Sequence, residues 1–327
     1  MDSSPDISEP STAPSSTCNT PKTFLTTLAK YDLTEQSLLQ IHNDLVTLAR
    51  EAGQMMLDAD PTLQPPTTKK NTSDLVTLTD RAIETMILTR LSASHPTIHF
   101  LGEETSKTNQ RLTPNPTFIC DPIDGTLNFI HGFPNTAVSL ALAIDKIPVV
   151  GVVFNPFRGD LYTAIKHRGA FLTTPTRTFK LPLNPIPRPL PSLSSCLVAL
   201  EWGSERSGAN WDLRTRVAKT LLSAKEDGAG KMVRSIRSSG SAALDLCYVA
   251  AGQLDVFWEG GCWAWDVCAG WCVLEEAGGL VVGANPGEWE VELEGRRYLG
   301  VRGAKRGEQR GVVGEVWGVM GDGRFVF

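Results

Sequence analysis

Acidic residues stand at the ends of apolar runs in this chain, and that placement constrains the fold more than any other feature. Ile98-His99-Phe100-Leu101 leads into Gly102-Glu103-Glu104, and Thr117-Phe118-Ile119-Cys120 leads into Asp121-Pro122-Ile123-Asp124-Gly125-Thr126. A further acid, Asp266, follows Trp263-Ala264-Trp265 and opens a helical pattern. An apolar lead-in of strand length buries its strand, so an acid at its end is held rigidly beside a core. Carboxylates crowded there repel one another and resist ionisation. A hard divalent cation removes that cost, and Mg²⁺ takes carboxylate, carbonyl and water oxygens. Glu103, Glu104, Asp121, Asp124 and Asp266 therefore read together as a candidate metal site.

The chain has 327 residues and a formal net charge of -5. That length suits one large domain or two intimately packed halves. Mild acidity argues against nucleic acid as a partner. Arg296, Arg297, Arg302, Lys305, Arg306 and Arg310 form a basic cluster, but Glu288, Glu290, Glu292, Glu294 and Glu308 surround it, so it reads as solvated surface. Cys120, Cys196, Cys247 and Cys268 lie in apolar contexts, as expected of reduced thiols in a cytoplasmic protein. Cys262, Cys268 and Cys272 lack a Cys-x-x-Cys pair and read as core rather than as a zinc site. No apolar stretch reaches the roughly 18 residues of a membrane span. Residues 1–21 are rich in Ser, Thr and Pro and carry Asp2, Asp6 and Glu9, which fits neither a secretory signal nor a mitochondrial presequence.

Three regions follow: a disordered tail over 1–33, an α+β half over 34–185 with most of the candidate ligands, and an α/β half over 186–327 with Asp266. Helical periodicity runs over 34–58, and a helix over 81–93 starts from Thr79 or Asp80 as cap. Strands are expected at 97–101 and 117–121, a hairpin at 136–144 and 148–155 around Asp145-Lys146, and a strand pair at 160–166 and 169–173. The prolines of 182–192 mark a connector. Beyond it come a strand at Cys196–Leu200, a helical centre at 211–225 and a helix over 241–251 closed by Gly252. Strands at Leu254–Trp258 and Leu280–Val282 flank a helix opened by Asp266, while 302–327 is Gly-rich and carries no clear final helix. Asp245 and Asp255 read as helix surface and turn. Alternating strands and helices give a mixed α/β class.

Two acids three apart with Pro122 between them place both carboxylates of Asp121 and Asp124 at a strand-to-helix turn, where the Ile123 carbonyl can add an oxygen. Gly125 permits close approach of a ligand, and the N–H groups of Gly125 and Thr126 suit a phosphate at a helix N-terminus. Each segment alone has an ordinary explanation. The first could be an acidic turn with an Asx-type cap, Glu103-Glu104 a solvated pair, and Asp266 an N-cap.

Together the segments resemble the inositol monophosphatase family of lithium-sensitive, magnesium-dependent phosphatases, over about residues 36–300. The resemblance is carried by the Asp121–Thr126 block with Leu127-Asn128-Phe129 and Phe133-Pro134, by Trp265-Asp266-Val267-Cys268-Ala269-Gly270, by Gly240-Ser241-Ala242-Ala243, and by Glu275-Ala277-Gly278-Gly279. It implies a layered αβαβα sandwich, a homodimer, and hydrolysis of inositol monophosphate by in-line attack of an activated water. It further implies that Glu103, Asp121, the Ile123 carbonyl, Asp124 and Asp266 hold two or three Mg²⁺ ions, with Li⁺ inhibitory. Asp80 and Thr126 match the pair that orients the water, with Glu103 assisting, and Lys69 matches a lysine near the metals. Asp124, Gly125, Thr126, Gly240, Ser241, Ala242, Glu259 and Asp266 match substrate contacts, so the implied partner is a small phosphorylated polyol. The same chemistry on a 3′-phosphonucleotide or sugar phosphate, or a regulatory quinate-pathway relative, are the alternatives. The segment around 203–230 and the tryptophans at 263 and 265 depart from the compact family pattern.

Overall fold

The computed structural model describes residues 20–59, 77–106, 110–224 and 228–327, with the backbone of 67–68 and 75–76. The chain runs α1 (Lys22–Lys30), α2 (Glu35–Asp58), β1 (Thr67–Thr68), β2 (Leu75–Val76), α3 (Leu78–Ser94), β3 (His99–Gly102), β4 (Thr117–Asp124), α4 (Thr126–Ile130), β5 (Ala137–Ile144), β6 (Ile147–Asn155), β7 (Asp160–Ile165), β8 (Ala170–Thr173) and β9 (Thr178–Lys180). It continues through β10 (Leu197–Leu200), α5 (Ala209–Leu222), β11 (Ser235–Arg237), α6 (Ala242–Ala251), β12 (Val256–Gly260), α7 (Ala264–Glu276), β13 (Leu280–Gly283), β14 (Arg297–Val301) and α8 (Arg306–Met320). None of the described helices is long and apolar enough to cross a membrane.

Two sheets organise these elements. One has seven strands in the order β3-β4-β5-β6-β7-β8-β9, and the other five in the order β11-β10-β12-β14-β13. On the outer face of the larger sheet, Leu38, Ile41 and Leu45 of α2 and Ile83 and Ile87 of α3 meet Leu140, Leu142 and Val150. Between the sheets lie α6 and α7, whose Leu246, Cys268 and Cys272 join Ala141 and Val153 on one side and Ala199 and Phe257 on the other. Val217 and Leu221 of α5 and Val313 and Val316 of α8 cover Val198, Trp258 and Leu299 on the far face. The architecture is the α+β sandwich in αβαβα layers that the resemblance implied.

The sequence explains why α7 can sit so deep. On β5, Val138, Leu140, Leu142 and Ile144 face α2 and α3, while Ala137, Ala141 and Ala143 face inward. Small residues on one side of a two-faced strand let a helix backbone approach closely. Gly151 of β6 completes this floor, because a Cβ there would lie 2.4 Å from the Ala269 carbonyl oxygen of α7.

Several expectations need correction. Residues 22–30 form a helix, so regular structure begins before position 33. The cap of α3 is Thr77, and Asp80 occupies the third helical position of a capping box. The DPID segment belongs to β4 itself rather than to a turn after it. The Gly-rich end does form a helix, α8, because Val312, Val313, Val316 and Met320 bury one face and packing overrides the poor propensity of its glycines. Arg302 is buried, not solvated, and its Nε donates to Asp255 Oδ1 at 2.5 Å. Its Nη1 and Nη2 donate to the Arg188 and Pro189 carbonyls, tying the proline connector to the smaller sheet. Asp245 and Asp255 are likewise buried rather than on the surface. Lys69 lies outside the described residues.

Gly151→Ala should lower the free energy of urea unfolding by about 1–3 kcal/mol through overpacking. On α8, Gly311 is exposed, and a Cβ added there would meet nothing within 4 Å. Gly311→Ala should therefore raise stability by about 0.5–1 kcal/mol in the same assay.

Candidate active site

The register of β4 against β5 slips within the acidic segment: Asp121 pairs with Ser139, but Asp124 pairs with Ala137. One extra residue has entered β4, a bulge containing Pro122, which has no N–H to lose from the ladder. In a regular strand two residues three apart point to opposite faces. The bulge brings both carboxylates to one side, and Asp121 Oδ1 accepts from Ile123 N–H at 3.0 Å.

The start of α7 delivers the third acid. Ser139 Oγ on β5 donates to the Trp265 carbonyl at 2.9 Å, and Asp266 Oδ2 accepts from Trp263 N–H at 2.7 Å. Asp266 is thus the third residue of the helix rather than its N-cap. Carboxylate oxygens of Asp121, Asp124 and Asp266 lie within 4.8 Å of one another. Burial pushes Asp121 and Asp266 well above the usual carboxylate range, and the charge of Glu103 pushes both the same way. Crowded oxygens that resist ionisation fit a hard cation, which would restore their charge. The Ile123 carbonyl lies 3.0 Å from Thr126 Oγ1, as an alternative acceptor for that hydroxyl's one proton, and has two lone pairs to offer.

Asp124 is fixed from the other half of the chain. Its Oδ2 accepts from Ser241 Oγ at 2.5 Å and from Ala243 N–H at 2.8 Å, at the beginning of α6. Ser241 is also the N-cap of that helix. Gly125 has φ of 92°, and a Cβ there would lie 2.8 Å from the Gly240 carbonyl oxygen. Asn128 Nδ2 donates to the Ser239 and Asn135 carbonyls, each at 2.7 Å. Gly240, Ser241 and Ala242 therefore face the β4 acids across a closely stitched seam. The short helix α4 has only five residues, so its dipole adds little to that face.

Asp80 and Thr126 meet as expected. Thr126 Oγ1 donates to Asp80 Oδ1 at 3.2 Å, and Asp80 Oδ2 accepts from Thr77 N–H at 2.9 Å and from the Thr77 hydroxyl. Burial raises the affinity of Asp80 for a proton, although the Thr77 bonds oppose that.

Three acids beyond the expected set shape the site. Glu84, fully buried on α3, accepts from Glu104 N–H at 2.8 Å and Thr105 N–H at 2.7 Å, which fixes the turn carrying Glu103. Gly102 makes room, since a Cβ there would lie 2.5 Å from the Glu84 carboxyl. The signal was present: Glu84 stands on the buried stripe beside Ile83 and Ile87. Glu201 accepts from Gly240 N–H at 3.0 Å and from Ser239 N–H, and Asp245 Oδ1 accepts from Ser239 Oγ at 2.6 Å. Burial pushes both Glu201 and Asp245 upward, and the charge of Glu201 pushes Asp245 further.

Glu259 is the penultimate residue of β12 and is 8% exposed, with burial and then the charge of Glu201 holding it well above its ordinary value. A cavity of about 970 Å³ borders Glu103, Trp263, Trp265 and Arg296. Most of its wall is charged, from Glu103, Glu104, Glu292 and Arg297 among others, and one part is aromatic, with Trp263 and Trp265 stacked at 5.3 Å and the Arg296 guanidinium 3.6 Å over the Trp263 ring.

Comparison with known proteins agrees with this arrangement. The family described as the inositol monophosphatase family matches residues 37–319. The chain is 48% identical over 277 residues to inositol monophosphatase 2 of Saccharomyces cerevisiae, spanning 83% of this chain and 91% of that protein. It is 38% identical over 324 residues to quinic acid degradation cluster protein x of Neurospora crassa, spanning 87% and 94%. The structure of inositol monophosphatase from Anabaena superposes with a TM-score of 0.62 at 28% identity, over 84% of this chain and 95% of that one. The chain belongs to the inositol monophosphatase family.

Burial moves the folded Asp124 carboxyl from an ordinary value of 3.8 up to about 6, against the opposing bonds from Ser241 and Ala243. Between those values the folded chain holds a proton that the unfolded chain has lost, so metal-free stability falls as pH rises through the window. At about 1.4 kcal/mol per pKa unit, this one group accounts for a fall of about 3 kcal/mol. Urea titrations in EDTA should show Asp124→Asn flattening the fall, and excess Mg²⁺ should restore stability on the alkaline side.

Proposed function

We propose that this chain is a Mg²⁺-dependent phosphomonoesterase that hydrolyses inositol monophosphate to inositol and phosphate by in-line attack of water. The observation that carries the reading is the group formed by buried Asp121 and Asp124 with half-buried Asp266, beside the Thr126–Asp80 hydrogen bond. The carboxylates of Glu103, Asp121, Asp124 and Asp266, with the Ile123 carbonyl, would hold the cations. Bound Mg²⁺ would supply Lewis-acid stabilisation of phosphoryl charge and lower the pKa of water.

The remaining chemistry belongs to the chain. With its proton given to Asp80, the Thr126 oxygen has lone pairs free to accept from the attacking water. Asp80, which burial makes a better proton acceptor, stands behind Thr126 as the base of the relay. Thr77 holds the Asp80 carboxylate in place from its other oxygen. The substrate segment Gly240–Ala242 lies across the seam from Asp124, and Glu259 offers a buried carboxylate to polyol hydroxyls. A carboxylate at that end suits a polyol better than a nucleobase, because the Trp263 ring is already engaged by Trp265 and Arg296. A homodimer, a cytoplasmic setting and inhibition by Li⁺ are further parts of the proposal, supported by family membership.

The test is phosphate release from inositol 1-phosphate, adenosine 3′,5′-bisphosphate and fructose 1,6-bisphosphate, each with and without Mg²⁺. Release chiefly from inositol 1-phosphate, only with Mg²⁺ and suppressed by Li⁺, is expected. Thr126→Ala should lower kcat by about 100- to 10,000-fold. Unaltered turnover by Asp124→Asn would sink the metal assignment, and preference for another ester would move the substrate.

A further inference from the structure

The segment that departs from the compact family pattern carries a buried cation. Arg214 lies on α5 and is 1% exposed. Its Nη2 donates to the Gly260 carbonyl at 2.5 Å, immediately after Glu259 on β12. Its Nε and Nη1 have no hydrogen-bond partner among the described residues, and neither has Glu259 Oε2. Buried donors of a purely structural arginine are normally all paired. The first charge that favours this guanidinium is Glu259, followed by Glu205.

Glycines open the slot in which Arg214 sits. A Cβ at Gly203 would lie 3.0 Å from Nη2, and one at Gly261 would lie 3.5 Å from the same atom. Both glycines have positive φ, 60° and 108°, which disfavours side chains there, and at Gly203 the close approach of the guanidinium disfavours them further. The Phe325 ring lies 5.2 Å from the Arg214 Cζ and closes the slot. The guanidinium is therefore pinned by one edge to the strand end that bears Glu259, with its other edges unspent.

Glu259 needs such a neighbour. Burial and the charges of Glu201 and Asp266 oppose its ionisation, and Arg214 counters them. A carboxyl that took up a proton would be a donor on one oxygen and a weaker acceptor for polyol hydroxyls. Arginine stays charged in such a site, whereas a buried lysine readily loses its proton.

We propose that Arg214 is a positioning residue for substrate selection: through its bond to the Gly260 carbonyl it holds the end of β12 so that the adjoining Glu259 carboxyl is aimed to receive substrate hydroxyls. The inference rests on the proposed polyol phosphatase activity and deepens it, because it places selectivity in a helix outside the catalytic half.

The test compares wild type, Arg214→Met and Arg214→Lys on inositol 1-phosphate and on phenyl phosphate, which offers Glu259 no hydroxyl. Both esters share the metal and water chemistry, so their kcat/KM ratio isolates the polyol end. In Arg214→Met the preference for inositol 1-phosphate should fall by about 10- to 100-fold, the worth of one hydrogen bond to a charged group. The change should sit in KM, with kcat for inositol 1-phosphate within about 3-fold of wild type, as for loss of uniform binding. Arg214→Lys should recover part of the preference, and it decides the question alone if circular dichroism shows Arg214→Met unfolded. Equal losses on both esters, or an unchanged ratio in folded variants, would overturn the inference. Wild type that cleaves phenyl phosphate but not inositol 1-phosphate would overturn the proposed substrate, and this role of Arg214 with it.

Discussion

Mutual repulsion among buried carboxylates is the constraint on which the rest of this structure depends. Asp121, Asp124 and Asp266 bring oxygens within 4.8 Å of one another in a site largely removed from water. Left alone, such a group is a liability to the fold, because desolvation and like charge both oppose ionisation. It persists because each acid is fastened by bonds that do not depend on its neighbours: Ile123 N–H on Asp121, Ser241 and Ala243 on Asp124, and Trp263 N–H on Asp266. The chain thus holds this candidate cation site in shape through backbone and hydroxyl donors. That is the arrangement a preorganised metal centre requires.

The layers exist to bring those fastenings together. Asp121 and Asp124 come from a bulged strand of the larger sheet, Ser241 and Asp266 from helices sandwiched between the sheets. The seam closes only because α7 can lie on a floor of Ala137, Ala141, Ala143 and Gly151. Glycines do a second job at Gly102, Gly125 and Gly203, where a neighbouring carboxyl, carbonyl or guanidinium occupies the place of a side chain. Close backbone approach and buried polar contacts are therefore one design in this protein, with the missing Cβ making room for the charge.

A second ring of buried charge surrounds the first. Glu84 sets the turn of Glu103, Glu201 and Asp245 set the segment of Gly240, and Arg214 holds the Gly260 carbonyl next to Glu259. These residues meet no reacting atom in the proposed mechanism. They determine where the groups that do will stand, and supporting contacts of this kind commonly govern how well a site works.

Much of the candidate site was legible in the chain. Acids at the ends of apolar runs, Gly125 just after the acidic segment, Ser241 before an apolar helix and the hairpin at Asp145-Lys146 all express local rules, because strand burial, turn geometry and capping involve neighbours a few residues apart. The glycines of α8 hid a helix that only packing against the smaller sheet makes favourable. Arg302 and Asp255 looked solvated, since periodicity says that a residue lies on one face but not what opposes that face. The same limit concealed the burial of Asp245 and Arg214, and for Glu84 it concealed the partners that its buried stripe meets. The sequence by itself determined which oxygens could serve a cation and the local elements that carry them. Tertiary structure alone decided which remaining charges are buried and whom they brace, because the free energy of a buried charge depends on partners brought from distant parts of the chain.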